Sequence, residues 1–382
     1  MSSTSGRQVA PPASTSAREV APGLGELAAQ RSIIVCCGSG GVGKTTVSAA
    51  FALEAARNGR RACVVTIDPA RRLANALGLD ALANTPHLVP GPWEGELEAM
   101  MLDPKRTFDD LVRKYAPSPD RSESILANRI YRNLTSALSG TQEYMAIEKL
   151  YELAEESRYD MLVVDTPPTR NALDFLDAPR RLTRFLEHRL FQLLLAPTRA
   201  YLRAVSVAMQ ALLRTISKVA GADIVRDAVS FFQAFEGMEE GFRTRADHMR
   251  KLLADPSTAF VLVTSPRADT VEEAGWFADR LNELGLAVEG LVVNRVHPSF
   301  GPHSALPSAP PDSALAALVD NLSAFESVNS REESAFAELV AQVAPSPVGR
   351  VTLLEGDVHD LDGLIAIADH LFNPFGQKEQ AP

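Results

Sequence analysis

The chain has 382 residues, 46% of them hydrophobic and 23% charged, which is the composition of an ordinary globular protein. Its formal net charge of −10 argues against nucleic acid as the main partner, because binding to a phosphate backbone needs basic surface. Residues 1–30 lack the apolar core of a secretory signal, and no apolar run is long enough to cross a membrane, so we expect a cytoplasmic protein.

Residues 1–30 are rich in Ser, Ala and Pro and predict a disordered tail. The continuous apolar run from Ser32 to Cys37 then predicts a strand of a buried parallel sheet. A glycine-rich segment follows, and after it the alanine-rich pattern from Val47 to Arg57 predicts a helix.

The glycine-rich segment fits the pattern G-x-x-x-x-G-K-[ST] between a strand and a helix, which is the context of a phosphate-binding loop. Glycines let successive backbone N–H groups point at a phosphate, and the new helix adds the positive end of its dipole. Lys44 is expected to reach the β- and γ-phosphates, and the Thr45 hydroxyl to hold Mg²⁺. The residues predicted to bind the nucleotide here are Gly38, Ser39, Gly40, Gly41, Val42, Gly43, Lys44, Thr45 and Thr46.

Three cysteines, Cys36, Cys37 and Cys63, lie in or beside apolar segments, and none forms a C-x-x-C motif. These positions are typical of buried thiols in a reducing compartment. We therefore expect neither zinc nor an iron–sulfur cluster, because a cysteine-ligated zinc site and an iron–sulfur cluster both need cysteine ligands presented together.

The remaining elements alternate between strands and helices, which predicts an α/β fold with a mostly parallel open sheet and helices on both faces. Two helical blocks, residues 103–156 and 180–252, are expected to pack together as an inserted subdomain, and residues 373–382 to form a polar tail. Strands are predicted at Ala62–Ile67, Leu97–Leu102, Met161–Val164, Phe260–Thr264, Leu291–Asn294 and Val351–Leu354, and later helices at Thr270–Leu284, Ser330–Val343 and Leu361–Phe372.

An apolar stripe from Val205 to Val219 predicts an amphipathic helix in the second helical block. The stripe fits packing against neighbouring helices of the same subdomain. It also fits an exposed surface for a partner, a client or a membrane, and the sequence leaves both interpretations open.

Three polar residues follow predicted strands, at the edge of the sheet where ligands of such folds bind. Asp165 stands where a Walker B carboxylate would hold Mg²⁺ through water. Taken alone, Asp68 fits an Asp-Pro turn better than a catalytic role, but beside a phosphate-binding loop it is placed to orient or deprotonate an attacking water. Asn294 could donate to and accept from the edge of an adenine.

Together these motifs resemble the deviant Walker A ATPases, in particular the arsenical-pump ATPases and the eukaryotic ATPases that guide tail-anchored membrane proteins. The resemblance implies ATP and Mg²⁺, an α/β core with a helical subdomain, and a dimer that opens and closes with nucleotide. It also implies that Asp68 is catalytic and that Asn294 and Leu354 lie beside adenine. It extends from Ser32 to Phe372 and depends on Gly38–Thr46, Thr66–Leu77, Asp165–Thr169, Val292–Arg295 and Leu353–Val358.

The chain departs from the family pattern at Ser39. The family loop reads G-K-G-G-x-G-K-T, and its first lysine reaches the phosphates bound by the partner subunit. A positive group there is worth about 10³–10⁵ in rate, so a homodimer of this chain should hydrolyse ATP slowly. Three arginines in the switch segments are candidates to replace the lysine, namely Arg71, Arg72 and Arg170.

A second departure is Arg267, which stands where the family often carries an acid at the interface. A reversed charge favours a different subunit over a second copy of the same chain. The predicted partner is therefore a homologous ATPase subunit that keeps the lysine, with a homodimer as the less favoured arrangement.

The sequence as a whole predicts a Mg²⁺-dependent ATPase that acts as a nucleotide-gated dimer on a protein client or membrane-protein partner. It would work in the cytoplasm or peripherally at a membrane, with Asp68 and Lys44 as catalytic residues. One alternative is a weakly hydrolysing regulatory subunit of a hetero-oligomer. The other is a subunit of an anion or metalloid pump, which the placement of the cysteines disfavours.

Overall fold

The structure is a computed structural model that contains one central sheet, and helices cover both faces of it. Outside the continuous segments given next, the structure describes the single residues 178, 180, 184, 227, 231, 310 and 356, of which 180, 184, 227 and 231 fall within the second helical block. The segments described are 23–68, 70–129, 131–132, 141–167, 238–300, 313–354 and 358–373.

The sheet has eight strands: β1 (Ile33–Gly38), β2 (Arg61–Thr66), β3 (His87–Leu88), β4 (Glu96–Met101), β5 (Met161–Asp165), β6 (Thr258–Thr264), β7 (Val288–Val296) and β8 (Val348–Thr352). Their order in the sheet is β3-β4-β2-β5-β1-β6-β7-β8, and every neighbouring pair is parallel except β3 with β4. The mostly parallel sheet predicted from the sequence is therefore confirmed.

The central strands are buried on both faces, as continuous apolar runs of a parallel sheet require. All residues of β1, β5 and β6 are buried. In the register between strands, Cys36 of β1 and Thr66 of β2 both pair with Asp165 of β5. The carboxyl ends of these three strands therefore lie side by side, which brings together the segments that follow them.

Two hydrophobic cores flank the sheet and correspond to its two helical layers. The helices are α1 (Leu24–Gln30), α2 (Lys44–Arg57), α3 (Arg72–Ala76), α4 (Pro104–Tyr115), α5 (Pro119–Ala127), α6 (Thr141–Glu155), α7 (Glu239–Leu253), α8 (Ala268–Glu283), α9 (Ala314–Val343) and α10 (Leu361–Phe372). Helices α1, α2 and α10 contribute to one core, while α4, α6, α7, α8 and α9 contribute to the other. Within these segments no helix combines the length and apolarity needed to span a bilayer.

Two element boundaries differ from those predicted by more than three residues. The disordered tail was expected to reach residue 30, but Leu24–Gln30 form α1, because Leu24, Leu27 and Ala28 bury their side chains in the core beside α2. Helix α9 was expected to begin near Ser330, but it begins at Ala314, where Ser313 caps it by accepting from the Ala316 N–H. Its first half is largely exposed, although Leu315, Leu318, Val319 and Leu322 recur there at helical spacing.

The described parts of the two helical blocks contact each other through α6 and α7. Arg245 of α7 is buried and bonds Glu148 and, over 3.2 Å, Glu155, both on α6. Its guanidinium also lies over the Tyr151 ring, 4.5 Å from the centroid. The full extent of the predicted subdomain stays a prediction, because most of 180–252, with the Val205–Val219 stripe, lies outside the described residues.

Replacing Arg245 with alanine is expected to lower the free energy of unfolding by about 3–5 kcal/mol, because Glu148 would lose the buried cation that it bonds. Burial already raises the pKa of Glu148 from 4.5 to about 7, despite the opposing Arg245 charge. An acid with a raised folded pKa is stabilised by protonation, so the loss should be largest above pH 7 and shrink towards pH 5.

Urea unfolding at pH 8 and pH 5.5 measures this effect. The control is Arg250→Ala on the same helix, which removes an exposed pair with Asp247 and should cost at most about 1 kcal/mol. An equal loss at both pH values for Arg245→Ala would show that Glu148 is not the cause.

Candidate nucleotide-binding site

The glycine-rich loop lies between β1 and α2, as predicted, and two of its positions have no room for a side chain. Gly43 has φ +94°, and a Cβ there would lie 2.1 Å from the Asn294 Nδ2. At Gly38 a Cβ would lie 2.0 Å from the Val263 carbonyl oxygen on β6. The loop can therefore pack this closely against the ends of β6 and β7 because these two positions carry no side chain.

Lys44 begins α2 and folds back into the loop. Its Nζ donates to the carbonyl oxygens of Gly38, over 2.9 Å, and Ser39, over 2.7 Å. Burial lowers the pKa of Lys44, and the nearby Asp165 carboxylate opposes that shift. The loop thus encloses a cation at the N-terminal end of a helix, where both the charge and the helix dipole favour an anion.

Thr45 and Asp165 meet as the sequence predicted. The Thr45 hydroxyl donates to Asp165 Oδ2 over 2.7 Å, and the Thr66 hydroxyl donates to the same oxygen over 2.8 Å. Burial raises the pKa of Asp165, whereas both hydroxyls and Lys44 act to lower it. The two threonines therefore position a carboxylate oxygen at the end of β5.

This oxygen set fits Mg²⁺. Mg²⁺ is usually held by one or two carboxylates or hydroxyls together with phosphates and water. Among the described residues no three His, Cys, Asp or Glu side chains are grouped to hold a metal by themselves. The pair of Thr45 and Asp165 is thus suited to a metal that arrives with a phosphate ligand.

Asp68 follows β2 and makes the turn contacts that an Asp in this position commonly makes. Its Oδ1 accepts from the Ala70 N–H over 2.9 Å, and its Oδ2 lies 3.3 Å from Arg72 Nη1. Arg72 is 66% exposed, so this ion pair is weak. The structure thus shows a turn-forming Asp68 beside Thr66, and the catalytic role of Asp68 stays a prediction.

Ser39 does not point into the loop. It is buried, and its hydroxyl donates over 2.5 Å to Glu273 Oε2 on α8. Nothing in the sequence singled out Glu273, because the contact joins residues 234 positions apart and Glu273 lies in an ordinary helical pattern. Arg267, at the start of the same helix, is exposed and pairs with Asp269 over 2.7 Å.

Asn294 lies against the loop. Its amide Nδ2 donates to the Val42 carbonyl oxygen over 2.8 Å, and its Oδ1 accepts from the Arg295 N–H over 2.9 Å. Leu354 is partly buried against the core that contains α2. The structure thus places Asn294 at the loop, and the predicted adenine contacts of Asn294 and Leu354 stay predictions. Arg170 lies outside the described residues, whereas Arg71 is exposed.

The three cysteines are free and buried, as predicted. Burial raises the pKa of each thiol, to about 12 for Cys37 and Cys63. Thiols of this kind stay protonated near neutral pH and are poor ligands for a metal or a metalloid.

Comparison with known proteins places these features in a family. A model of the ArsA ATPase family, described as anion-transporting ATPase, matches residues 31–303. An uncharacterized protein of Streptomyces coelicolor is 32% identical over 286 residues, which is 72% of this chain and 65% of that protein. An arsenical pump-driving ATPase of Acidiphilium multivorum is 27% identical over 86% of this chain and 48% of its own length.

A third relative is an ATPase get3 of Aspergillus terreus, 30% identical over 43% of this chain and 48% of its own length. The chain thus spans less than two thirds of each of these relatives. The family match itself covers the loop, both strand-end carboxylates and Asn294 in one continuous stretch. This chain therefore belongs to the ArsA family of anion-transporting ATPases.

Proposed function

We propose that this chain binds ATP with Mg²⁺ and hydrolyses it to ADP and phosphate. The observation that carries the proposal is the convergence of Lys44, Thr45 and Asp165 at the carboxyl ends of β1 and β5. A buried cation and a hydroxyl–carboxylate pair, both at a glycine loop, are the parts that phosphoryl transfer needs.

Each residue has a role in this proposal. Lys44 binds the β- and γ-phosphates, Thr45 contacts the metal through its hydroxyl, and Asp165 holds the metal through water. Mg²⁺ would supply charge neutralisation of the phosphates. Asp68 orients the attacking water, and Asn294 with Leu354 contacts the adenine.

The proposed unit of function is a nucleotide-gated dimer with a homologous subunit that carries lysine at the position of Ser39. Nucleotide state would open and close the dimer and pass that motion to a protein client or membrane-protein partner, in the cytoplasm or at a membrane surface. The names of two relatives, arsenical pump-driving ATPase and ATPase get3, support the ATPase part of this proposal. The pairing with a lysine-carrying subunit rests on the serine at position 39.

A second candidate function is a regulatory subunit that holds ATP but turns it over slowly. Serine at position 39 favours it, because this side chain presents no cation to a partner and its hydroxyl is bonded within the subunit to Glu273. A metalloid pump receives less support, since the cysteines are buried with raised thiol pKa values.

The rate of ATP hydrolysis tests the proposal. The purified chain is assayed alone and mixed with a homologous subunit from the same genome, each with Mg²⁺ and with EDTA, and its size is measured with and without nucleotide. Mg²⁺-dependent hydrolysis that rises on mixing supports the composite dimer. Slow hydrolysis that no subunit stimulates supports the regulatory function, and absence of ATP binding rejects both.

Replacing Asp165 with asparagine is expected to lower Mg²⁺-dependent hydrolysis by about 10–100-fold, the scale for a residue that acts through a metal-bound water. Asparagine keeps an oxygen for Thr45 and Thr66 but removes a buried charge, so thermal stability should be equal or higher. The matched control is Asp160→Asn, at the exposed residue just before the same strand, which should leave the rate unchanged. A variant that keeps the full rate would exclude Asp165 from metal binding.

A further inference from the structure

Two adjacent residues at the end of β7 bond two adjacent carbonyl groups of the phosphate loop. Asn294 Nδ2 donates to the Val42 oxygen over 2.8 Å, and Arg295 Nη1 donates to the Gly41 oxygen over 3.1 Å. Asn294 also accepts from the Arg295 N–H, which joins the two residues to each other. We call Asn294 and Arg295 the β7 clamp.

The backbone at the clamp is shaped to make these contacts. Arg295 has φ +63°, a left-handed conformation that costs energy for a residue with a side chain. The pairing of β7 with β8 also shifts register between Asn294 and Val296, so Arg295 stands at a bulge. A bulge re-aims a side chain from the face that regular alternation would give it. The Arg295 guanidinium consequently reaches the loop.

The β7 clamp bonds backbone carbonyl groups of the loop, and the direction of these carbonyls is tied to the direction of the loop N–H groups. A phosphate-binding loop directs its N–H groups inward at the ligand, so its carbonyls point outward and need other partners. The β7 clamp supplies partners for Gly41 and Val42, the two residues before the helix cap Gly43. At Gly43 there is no room for a Cβ beside the Asn294 amide, so the clamp and the loop fit tightly.

We propose that the β7 clamp positions the loop for the triphosphate, so that Asn294 and Arg295 contribute to phosphate binding whether or not a base is present. This inference depends on the proposed function, because it concerns the same nucleotide site. It differs from adenine recognition in one prediction: loss of either side chain should weaken the binding of a ligand that has phosphates but no base.

The clamp is compatible with an adenine contact. A carboxamide has two N–H donors and two acceptor lone pairs, and the loop and Arg295 use one of each. One donor and one lone pair remain for a base edge. Asn294 would then link the base and the phosphate loop through a single side chain.

Titration calorimetry with two probes, Mg²⁺–ATP and Mg²⁺–tripolyphosphate, distinguishes positioning of the phosphate loop from contact with the adenine. Asn294→Ala and Arg295→Ala are each expected to weaken tripolyphosphate binding by about 3–10-fold, the effect of one lost hydrogen bond. ATP binding should weaken at least as much. Arg295→Lys should stay close to wild type because it keeps a donor, and the control Lys251→Ala, an exposed cation in the last turn of α7, should change neither probe.

If both alanine variants bind tripolyphosphate as tightly as the wild type and only their ATP binding is weaker, the positioning role of the clamp is overturned. The two residues would then act only through a contact with the base. If Arg295→Ala does not fold, Arg295→Gly gives the same measurement, because glycine suits the left-handed backbone and lacks the guanidinium. A wild-type chain that binds neither probe overturns the proposed function and this inference together. If the wild-type chain binds both probes, the proposed function stands, and weaker tripolyphosphate binding by the alanine variants then supports the clamp.

Discussion

Replacing Lys44 with methionine is expected to lower the rate of ATP hydrolysis by about 10³-fold or more, the scale of a positive group on a transferring phosphoryl. The ammonium is already inside the loop, where it bonds the Gly38 and Ser39 carbonyls at 2.9 and 2.7 Å. A triphosphate that enters the loop offers this cation stronger acceptors than the two carbonyls. The loss corresponds to about 4 kcal/mol of barrier.

The same substitution should leave the chain folded. Methionine keeps the length and the apolar contacts of the lysine side chain. It gives up two hydrogen bonds, but it also removes the cost of burying an ammonium, the same desolvation that lowers the pKa of Lys44, and these effects oppose each other. We expect the free energy of unfolding to change by at most about 2 kcal/mol.

Phosphate release at saturating ATP measures the rate, and thermal unfolding measures the stability. The control is Lys251→Met, which makes the same chemical change at an exposed position of α7. Hydrolysis by Lys44→Met within about 10-fold of wild type would mean that the activity does not arise at this loop. Equal loss in both variants would point to damage unrelated to the site.

The phosphate loop could be predicted from sequence because its signal is local. The strand, the glycines, Lys44 and Thr45 are contiguous, and the conformation that glycine permits determines the turn. Asp165 could be predicted for a related reason, since an acid that directly follows a buried parallel strand must lie at the ligand edge of the sheet. The register of Cys36 with Asp165 brings these two strand ends together.

The residues that escaped prediction act through contacts distant in sequence. Glu273 meets Ser39 across 234 residues, and nothing near Glu273 marks it apart from other acids on a helix face. The Arg295 contact with the loop depends on a bulge and a left-handed backbone, which a run of apolar strand residues does not reveal. Helix α1 is held by burial of Leu24 and Leu27 rather than by helix propensity, so a segment interpreted as a tail folds against the core.

Converting the loop to the family pattern is expected to require two substitutions. Ser39→Lys alone would place a new ammonium where the serine hydroxyl lies 2.5 Å from the Glu273 carboxylate. The new lysine would then form an ion pair with Glu273 in its own subunit, and this pair would keep the ammonium from the phosphates bound by the partner subunit. The structure thus predicts a small gain in hydrolysis for Ser39→Lys and a larger one for Ser39→Lys combined with Glu273→Gln.

The proposed dimer sets the size of the larger gain. A cation that reaches the transferring phosphoryl of the partner subunit is worth up to about 10³–10⁵ in rate, so even partial alignment in a homodimer should be measurable. Glu273→Gln alone supplies no cation and should not raise the rate. It is therefore the matched control for the double variant, because it makes the same change at position 273 without adding a lysine.

The rate at saturating Mg²⁺–ATP is measured for the wild type, both single variants and the double variant, which form a double-mutant cycle. The cycle gives the coupling between positions 39 and 273, that is, the effect of the double variant beyond the sum of the two single effects. Positive coupling, with the double variant fastest, supports a composite site in which this chain lacks the reaching cation. A fast wild type that neither substitution accelerates would contradict it and leave a self-sufficient ATPase. Equal acceleration with and without Glu273→Gln would show that Glu273 does not restrain a lysine at position 39, because the new side chain then reaches its target despite the carboxylate.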